Sequence, residues 1–439
     1  MKGDELSAKR VVIVGGGFAG LNAAKRLGNV KGLRITLIDK RNHHLFQPLL
    51  YQVATAALNP ADIATPIRSI LSSYKNVDVL MGNAISVNLK KKYITADFGD
   101  LAYDYLLLAC GATHSYFGHK EWESFAPGLK SLEEAIEIRR RILTAYEQAE
   151  IEKDPEKQKQ LLTFVVIGGG PTGVELAGAI GEISRLTMIR DFRNINPGAT
   201  RVILIEAGPR ILPQFDQSLS VRAFRDLERL GVSVWTNSIV TDISANGVII
   251  GKKRIRAGTV LWAAGIGSLD LNRFLDAKFD RMGRVIVQQD LSLEKYPEVF
   301  VAGDQACFIP EGSNVALPGL APVALQEGRF IAKNIIRELQ GLPRKNFKYF
   351  DKGIMATIGR ASAVVQTRQF KLSGYFAWIT WLFIHIMYLA GFRNRFIVMI
   401  QWIWSYITKH RGSRLITVQN CKELKAPKKI RKITQKPFK

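Results

Sequence analysis

The sequence predicts an α/β protein built around two Rossmann-like dinucleotide-binding units, and three repeated features carry that prediction. A strand, glycine turn and helix read as VVIVGGGFAGLNAAKRL over residues 11–27, and again as FVVIGGGPTGVELAGAI over 164–180. Each copy is followed by a strand that ends in an acid, LIDK at 37–40 and LIEAG at 204–208. A third strand repeats as YLLLACGAT at 105–113 and VLWAAGIGS at 260–268. The matches keep the same order and are displaced by about 150 to 170 residues, so a whole βαβ unit has been duplicated.

In the first unit Gly15, Gly17 and Gly20 form GxGxxG between an apolar strand and an Ala/Leu-rich helix. The first glycine permits the tight turn, the second lets backbone approach a pyrophosphate, and the third lets helix pack on strand. The helix start then offers unpaired N–H groups and a positive dipole end to the phosphates. Asp39 stands nineteen residues beyond Gly20, at a strand end where a carboxylate accepts ribose hydroxyl protons.

The second unit repeats this with Gly168, Gly170 and Gly173, and Glu206 ends the matching strand. The longer spacing to Glu206 is attributed to a loop or short helix inserted at 184–200. An acid at that position repels a 2′-phosphate and favours NADH over NADPH, a preference that Arg210, four residues on, would soften. VFVAGD at 299–304 is a further strand running into a glycine turn, and it returns the chain to the first unit. The second domain is therefore an insertion within the first. The expected divisions are 1–120 with 290–345 for the first nucleotide and 155–289 for the second, joined through the charged stretch 147–160.

Two inserted dinucleotide domains imply two nucleotides face to face, a tightly held FAD and a visiting NADH, since hydride must cross between stacked rings. Asp304 suits the flavin ribityl or pyrophosphate. Glu175, two positions past Gly173, has two readings: a first-turn acid stabilising its helix, or a group handling protons between the redox partners. His43 and His44 lack a Cys or His cluster around them, so no metal is expected. Cys110, Cys307 and Cys421 are far apart, with no CxxC, which argues against a redox dithiol or zinc ribbon.

From residue 346 the texture changes. Residues 372–392 contain no Lys, Arg, Asp or Glu, and a second apolar run follows at 396–408. Length alone makes the first a transmembrane candidate. Trp378, Trp381, Trp402 and Trp404 fall in these runs, where a lipid interface favours them, and His385, Thr380 and Gln401 interrupt the apolar surface. Two helices lying in the interface fit better than a spanning hairpin. The net charge is +24, and the tail at 409–439 is dense in Lys and Arg with Glu423 as its only acid, so an anionic lipid surface is the expected partner there. The charged start of the chain stands where a secretory signal needs an apolar core, which predicts a cytosol-facing body.

These stretches together, with LIDKRNHHLFQPLLYQVAT, LIEAGPRILPQFD, LPGLAPVALQEGR and MATIGRASAVV, resemble the type II NADH dehydrogenases, single-chain NADH:quinone oxidoreductases. The likeness covers nearly the whole chain. It implies a glutathione-reductase-like flavoprotein fold, non-covalent FAD, a membrane quinone as acceptor, no proton pumping, a homodimer, and monotopic docking through the C-terminal helices. With no presequence read at the start, the expected home is the cytoplasmic face of a bacterial inner membrane. Along the matching motifs Gly15, Gly17, Phe18, Ala19, Gly20, Asp39, Lys40, Gly111, Thr113, Gly303 and Asp304 would hold FAD. Gly168, Gly170, Thr172, Gly173, Glu206 and Gly265 would hold NADH, with Glu175 as the acid near both rings. The family's quinone motif AQxAxQ aligns with Ala321, Pro322, Val323, Ala324, Leu325 and Gln326, so Pro322 replaces the first glutamine. The resemblance places quinone near Ala321, Pro322 and Gln326, with Gln326 taking a catalytic part; His385, in the apolar run, has two readings, first a satisfied packing histidine and second a quinone ligand or proton donor.

Rival readings share the architecture. Disulfide reductases need a dithiol, sulfide:quinone oxidoreductases need positioned cysteines, and a soluble ferredoxin reductase leaves the aromatic, basic C-terminus unexplained. A non-enzymatic NAD-dependent redox sensor using its charge on nucleic acid does not need the Trp-rich apolar runs, which a lipid interface does. No nucleic-acid partner is expected.

Overall fold

The computed structural model describes residues 8–408 and 411–416; the basic tail expected at 409–439 lies, apart from 411–416, outside the described residues. The chain opens on β1 (Lys9–Val14) and turns at Gly15 into α1 (Phe18–Leu27). There follow β2 (Leu33–Asp39), the short α2 (Leu50–Ala54), β3 (Val77–Met81), β4 (Tyr105–Leu108) and the two-residue β5 (Thr113–His114). Helix α3 (Leu132–Ile151) starts on a capping box in which Ser131 and Glu134 each take the other's backbone N–H. The second unit runs β6 (Thr163–Ile167), α4 (Pro171–Glu182), β7 (Arg201–Ile205), β8 (Val232–Trp235), β9 (Thr259–Trp262) and β10 (Ile266–Gly267). The chain returns through β11 (Val299–Val301) and α5 (Ala321–Leu339). It closes on β12 (Ile354–Gly359), β13 (Ser362–Gln366) and β14 (Lys371–Gly374), then α6 (Tyr375–Tyr388) and α7 (Phe392–Thr408).

The first sheet has the order β11-β4-β1-β2-β3 and the second β8-β7-β6-β9, both parallel throughout. Parallel sheets are covered on both faces, which is why their strands read as unbroken Val/Ile/Leu runs; all five residues of β6 are buried. The repeated third elements meet one another: β5 and β10 pair antiparallel, Thr113 opposite Gly267 and His114 opposite Ile266, and this ribbon ties the two units together.

Leu271, Leu275, Val285 and Val287 pack into the core of the first sheet with Val299 and Phe300. The sequence reading carried the second unit to 289, but the return begins about twenty residues earlier, in a stretch whose short apolar pieces have no periodicity to mark it. The insertion expected at 184–200 is seen as a π turn at Ile183–Thr187 and a 3₁₀ turn at Pro197–Ala199.

Helices α6 and α7, 14 and 17 residues long, span roughly 21 and 26 Å at 1.5 Å per residue, short of the ~30 Å hydrocarbon thickness. Among the described residues no helix is long and apolar enough to cross a membrane. Helix α6 lies on β13 and β14 and buries Ala377, Trp381 and His385. Phe376, Phe383, Trp404 and Ile407 stay exposed, Phe376 at 74%.

Candidate active site

The two glycine turns have the same construction. Gly15 and Gly168 take φ of +104° and +111°, where a side chain is strained. A Cβ on Gly20 would stand 1.9 Å from the Gly15 carbonyl oxygen, and one on Gly173 would stand 1.8 Å from that of Gly168. Packing therefore requires all four. Gly17 and Gly170 differ: both have ordinary φ of −72°, and a Cβ on either would meet nothing within 4 Å. Among the described residues no contact requires a glycine at either position, and the open space leaves room for a pyrophosphate to approach the backbone closely. The cradles fit a dinucleotide each.

Asp39 and Glu206 close the cradles. Asp39 accepts from the Gly16 N–H at 2.6 Å and the Arg41 N–H at 2.7 Å; Glu206 accepts from Gly169 at 2.6 Å and Gly208 at 2.7 Å. Each carboxylate oxygen retains a lone pair for a ribose hydroxyl. Arg210 is committed to the carbonyls of Phe215 and Pro213, so it is not held ready for a 2′-phosphate. Phe18 and Ala19 open α1, Thr172 is exposed in the first turn of α4, and Lys40 is exposed just past Asp39. Gly111 and Gly265, at φ of +75° and +77°, make matching bends beside the β5–β10 ribbon.

Gly303 and Asp304 follow β11 at the end of the first sheet, beside β4. Two residues that hold this corner, Glu327 and Gln305, were not singled out from the sequence. Glu327 accepts from the Gly303 N–H at 2.6 Å, and its burial pushes the carboxyl up to about 8. Gln305 accepts from the Cys110 N–H at 3.1 Å, tying AGDQ to ACG. His44, buried, bonds the Gly16 carbonyl through Nδ1 at 2.9 Å, so one of the paired histidines braces the glycine turn. The only sequence signal was adjacency to the motifs: Glu327 next to Gln326, Gln305 next to Asp304. A Cβ on Gly328 would stand 2.0 Å from the Ala19 carbonyl oxygen, so α5 and α1 meet at backbone distance and bring these corners together.

Glu175 sits in the second turn of α4, not the first, and the first turn holds no acid. The helix-start role weighed from sequence is therefore not available to it. It is largely buried, keeps part of its surface accessible, and accepts from the Thr357 N–H of β12 at 3.3 Å. Desolvation pushes its carboxyl up to about 8, against the lowering effect of that one hydrogen bond.

On the expected quinone side, Ala321 and Pro322 begin α5, where the missing N–H of proline costs nothing because that helix position has no intrahelical acceptor. Gln326 clamps the backbone of Phe350, donating to its carbonyl and accepting from its N–H, both at 3.0 Å. That leaves one amide hydrogen and one lone pair for another partner. His385 is buried on α6. Its Nδ1 bonds the Trp381 carbonyl at 2.7 Å, its ring stacks on Trp381 at 4.1 Å, and burial holds it down to about 4. A neutral ring with its N–H on a carbonyl is a packed histidine, the first of the two readings of this residue. Together with Phe46 it forms an aromatic column running from Phe18 at the first glycine turn to Trp381.

Two parallel dinucleotide units, one inserted in the other, with matching glycine cradles and ribose acids, define the class: a two-nucleotide oxidoreductase. Residues 9–328 match the family model described as pyridine nucleotide-disulphide oxidoreductase, and residues 352–410 match the NDH2 C-terminal domain. The chain is 44% identical to the type II NADH:quinone oxidoreductase NdhA of Mycobacterium tuberculosis, over 93% of this chain and 90% of that protein. It is 42% identical to the type II NADH:quinone oxidoreductase Ndh of the same organism, with the same coverage. A solved structure of NDH2 from Plasmodium falciparum in complex with NADH superimposes with a TM-score of 0.83 at 21% identity, covering 90% of this chain and 98% of that one, a likeness of fold. The chain belongs to the type II NADH:quinone oxidoreductases.

Proposed function

We propose that the chain works as a membrane-docked NADH:quinone oxidoreductase in which the Gly15 unit holds FAD, the Gly168 unit receives NADH, and quinone arrives from the side of α6 and α7. The reaction is that of its family: NADH, a quinone and one proton give NAD⁺ and quinol, without proton pumping. Bound FAD supplies the two-electron relay between nicotinamide and quinone. Gly15, Gly17, Gly20 and Asp39 would bind its pyrophosphate and ribose, with Gly303 and Asp304 at the opposite corner. Gly168, Gly170, Gly173 and Glu206 bind and orient NADH. The observation that carries the reading is Glu175, an acid kept protonated on the helix of the NADH cradle while it is hydrogen-bonded to the C-terminal sheet on which α6 lies. It is placed to hold the proton that quinol formation consumes. Gln326 positions the chain at Phe350 and offers one free donor and acceptor to a quinone.

The exposed face of α6 and α7, carrying Phe376, Phe383, Trp404 and Ile407, supports docking into one leaflet as a monotopic protein on the cytoplasmic face of a bacterial membrane. Anionic lipid would attract the basic tail at 409–439. A homodimer belongs to the same proposal and is read by sedimentation.

Burying a Phe side chain is worth about 1.5–3 kcal/mol, so replacing Phe376 and Phe383 by Lys should weaken partition onto vesicles by roughly a hundredfold or more. Turnover of a long-chain quinone embedded in vesicles should fall with it, while turnover of a short water-soluble quinone should not. Equal turnover of the embedded quinone by the double variant would refute docking through this face.

A further inference from the structure

The strand order of the second sheet, β8-β7-β6-β9, sets which way a dinucleotide runs across it. Parallel sheets take such ligands at the carboxyl ends of their strands, where the strand order reverses, here between β6 and β9. Glu206, the ribose acid, follows β7 on one side of that point, and the Gly168 turn, which suits the pyrophosphate, follows β6. The adenosine half then lies over β7, and the nicotinamide half runs on over the end of β9. There the chain continues as Ala263, Ala264 and Gly265. Ala263 borders the glycine turn directly, since a Cβ on Gly168 would stand 2.7 Å from its carbonyl.

The ring that stands at this end of β9 comes from the first unit. A Cβ on Gly265 would lie 2.9 Å from Cζ of Phe117, and the Phe117 ring centroid is 6.0 Å from that of Trp262, the last residue of β9. Two hydrogen bonds hold the segment in place. The Trp262 indole donates to the Ser115 carbonyl at 3.0 Å, and the Phe117 N–H donates to the Ser115 hydroxyl at 3.3 Å. Two features of Phe117 work against stability. Its φ is +52°, a region that bulky side chains enter only under strain, and it is 67% exposed to water. The turn alone favours glycine or asparagine at this position.

We propose that Phe117 is a binding residue for NADH: its ring closes over the nicotinamide half of the dinucleotide at the end of β9. The first unit thereby supplies one wall of the cleft in the second. This inference rests on the reading of the Gly168 unit as the NADH site and adds to it a contact from outside that unit.

The test is steady-state kinetics of the FAD-loaded protein with a short-chain quinone in excess. Phe117→Gly removes the ring and suits the backbone, whereas Phe117→Tyr keeps the ring. Phe117→Gly should raise KM for NADH roughly three- to tenfold, the weight of an aromatic contact, and leave kcat unchanged; Phe117→Tyr should leave both unchanged. Competitive inhibition by ADP, which carries the adenosine half alone, should be equal in all three proteins. Phe117→Asn, also at home at positive φ, carries the test should Phe117→Gly fail to fold. An unchanged KM for NADH in a folded variant without the ring would overturn the proposal. Weaker inhibition by ADP in step with the rise in KM would overturn it too, by marking a loosened cradle. Glu206→Ala separates this contact from the reading beneath it. A KM that rises in Glu206→Ala but not in Phe117→Gly removes the Phe117 contact alone, and a KM that moves in neither removes the assignment of NADH to the Gly168 unit as well.

Discussion

Asp39 and Glu206 are counterparts: each takes the backbone hydrogen of the middle glycine of its turn, Gly16 and Gly169, at 2.6 Å. On the proposed assignment the two acids serve different nucleotides, so their loss should separate. Glu206→Ala should raise KM for NADH roughly 10- to 100-fold, the loss of a charged hydrogen bond, and leave flavin content unchanged. Asp39→Ala should purify with less FAD. Flavin absorbance per protein and steady-state KM read the two effects, and flavin loss in the Glu206 variant would reverse the assignment.

Gly17 and Gly20 should respond oppositely to a methyl group. A Cβ on Gly20 would collide with the Gly15 carbonyl, and overpacking of this kind costs about 1–3 kcal/mol or more, so Gly20→Ala should melt several degrees lower. Gly17→Ala has open space and an ordinary φ, so its apo form should keep its melting temperature while FAD affinity falls. Equal FAD affinity in Gly17→Ala would remove the argument that this glycine exists for a phosphate.

Glu327 makes stability depend on pH. Its carboxyl is raised from its ordinary value to about 8 in the folded protein, so between those values the native state holds a proton that the unfolded chain does not. The sign follows: its contribution to stability is present at low pH and is lost as pH rises through about 8. Glu327→Gln retains an oxygen for the Gly303 N–H and should flatten the fall in melting temperature between the ordinary carboxyl range and about pH 8. Identical slopes for the two proteins would contradict this.

Gln326 joins α5 to the start of the C-terminal region through two bonds to Phe350. Gln326→Ala should lower stability by about 1–2 kcal/mol and raise KM for quinone, with bleaching of the flavin by NADH unaffected. Rapid mixing resolves the two halves, and slowed bleaching would place Gln326 on the NADH side.

The glycines and terminal acids were legible because a tight turn and a ribose each tolerate few residue types, and the duplication displayed them twice. The parallel sheets were legible from unbroken apolar strands. Glu327, Gln305 and His44 were not, because a buried polar residue that braces a backbone N–H or carbonyl has no spacing rule; its partner is set by the approach of α5 to α1 or by the loop after β2. His385 was legible as a packed histidine, but its partner, the Trp381 carbonyl one turn back, was not. The early return of the chain to the first core near residue 270 was hidden by strands only two residues long.

The most direct measurement is flavin absorbance under anaerobic sequential mixing of the FAD-loaded protein with NADH and then a short-chain quinone. NADH should bleach the flavin and quinone should restore it; in Glu175→Gln bleaching should persist while restoration slows about a hundredfold or more, the scale of a lost general acid. A flavin that NADH bleaches and quinone leaves bleached would contradict the account.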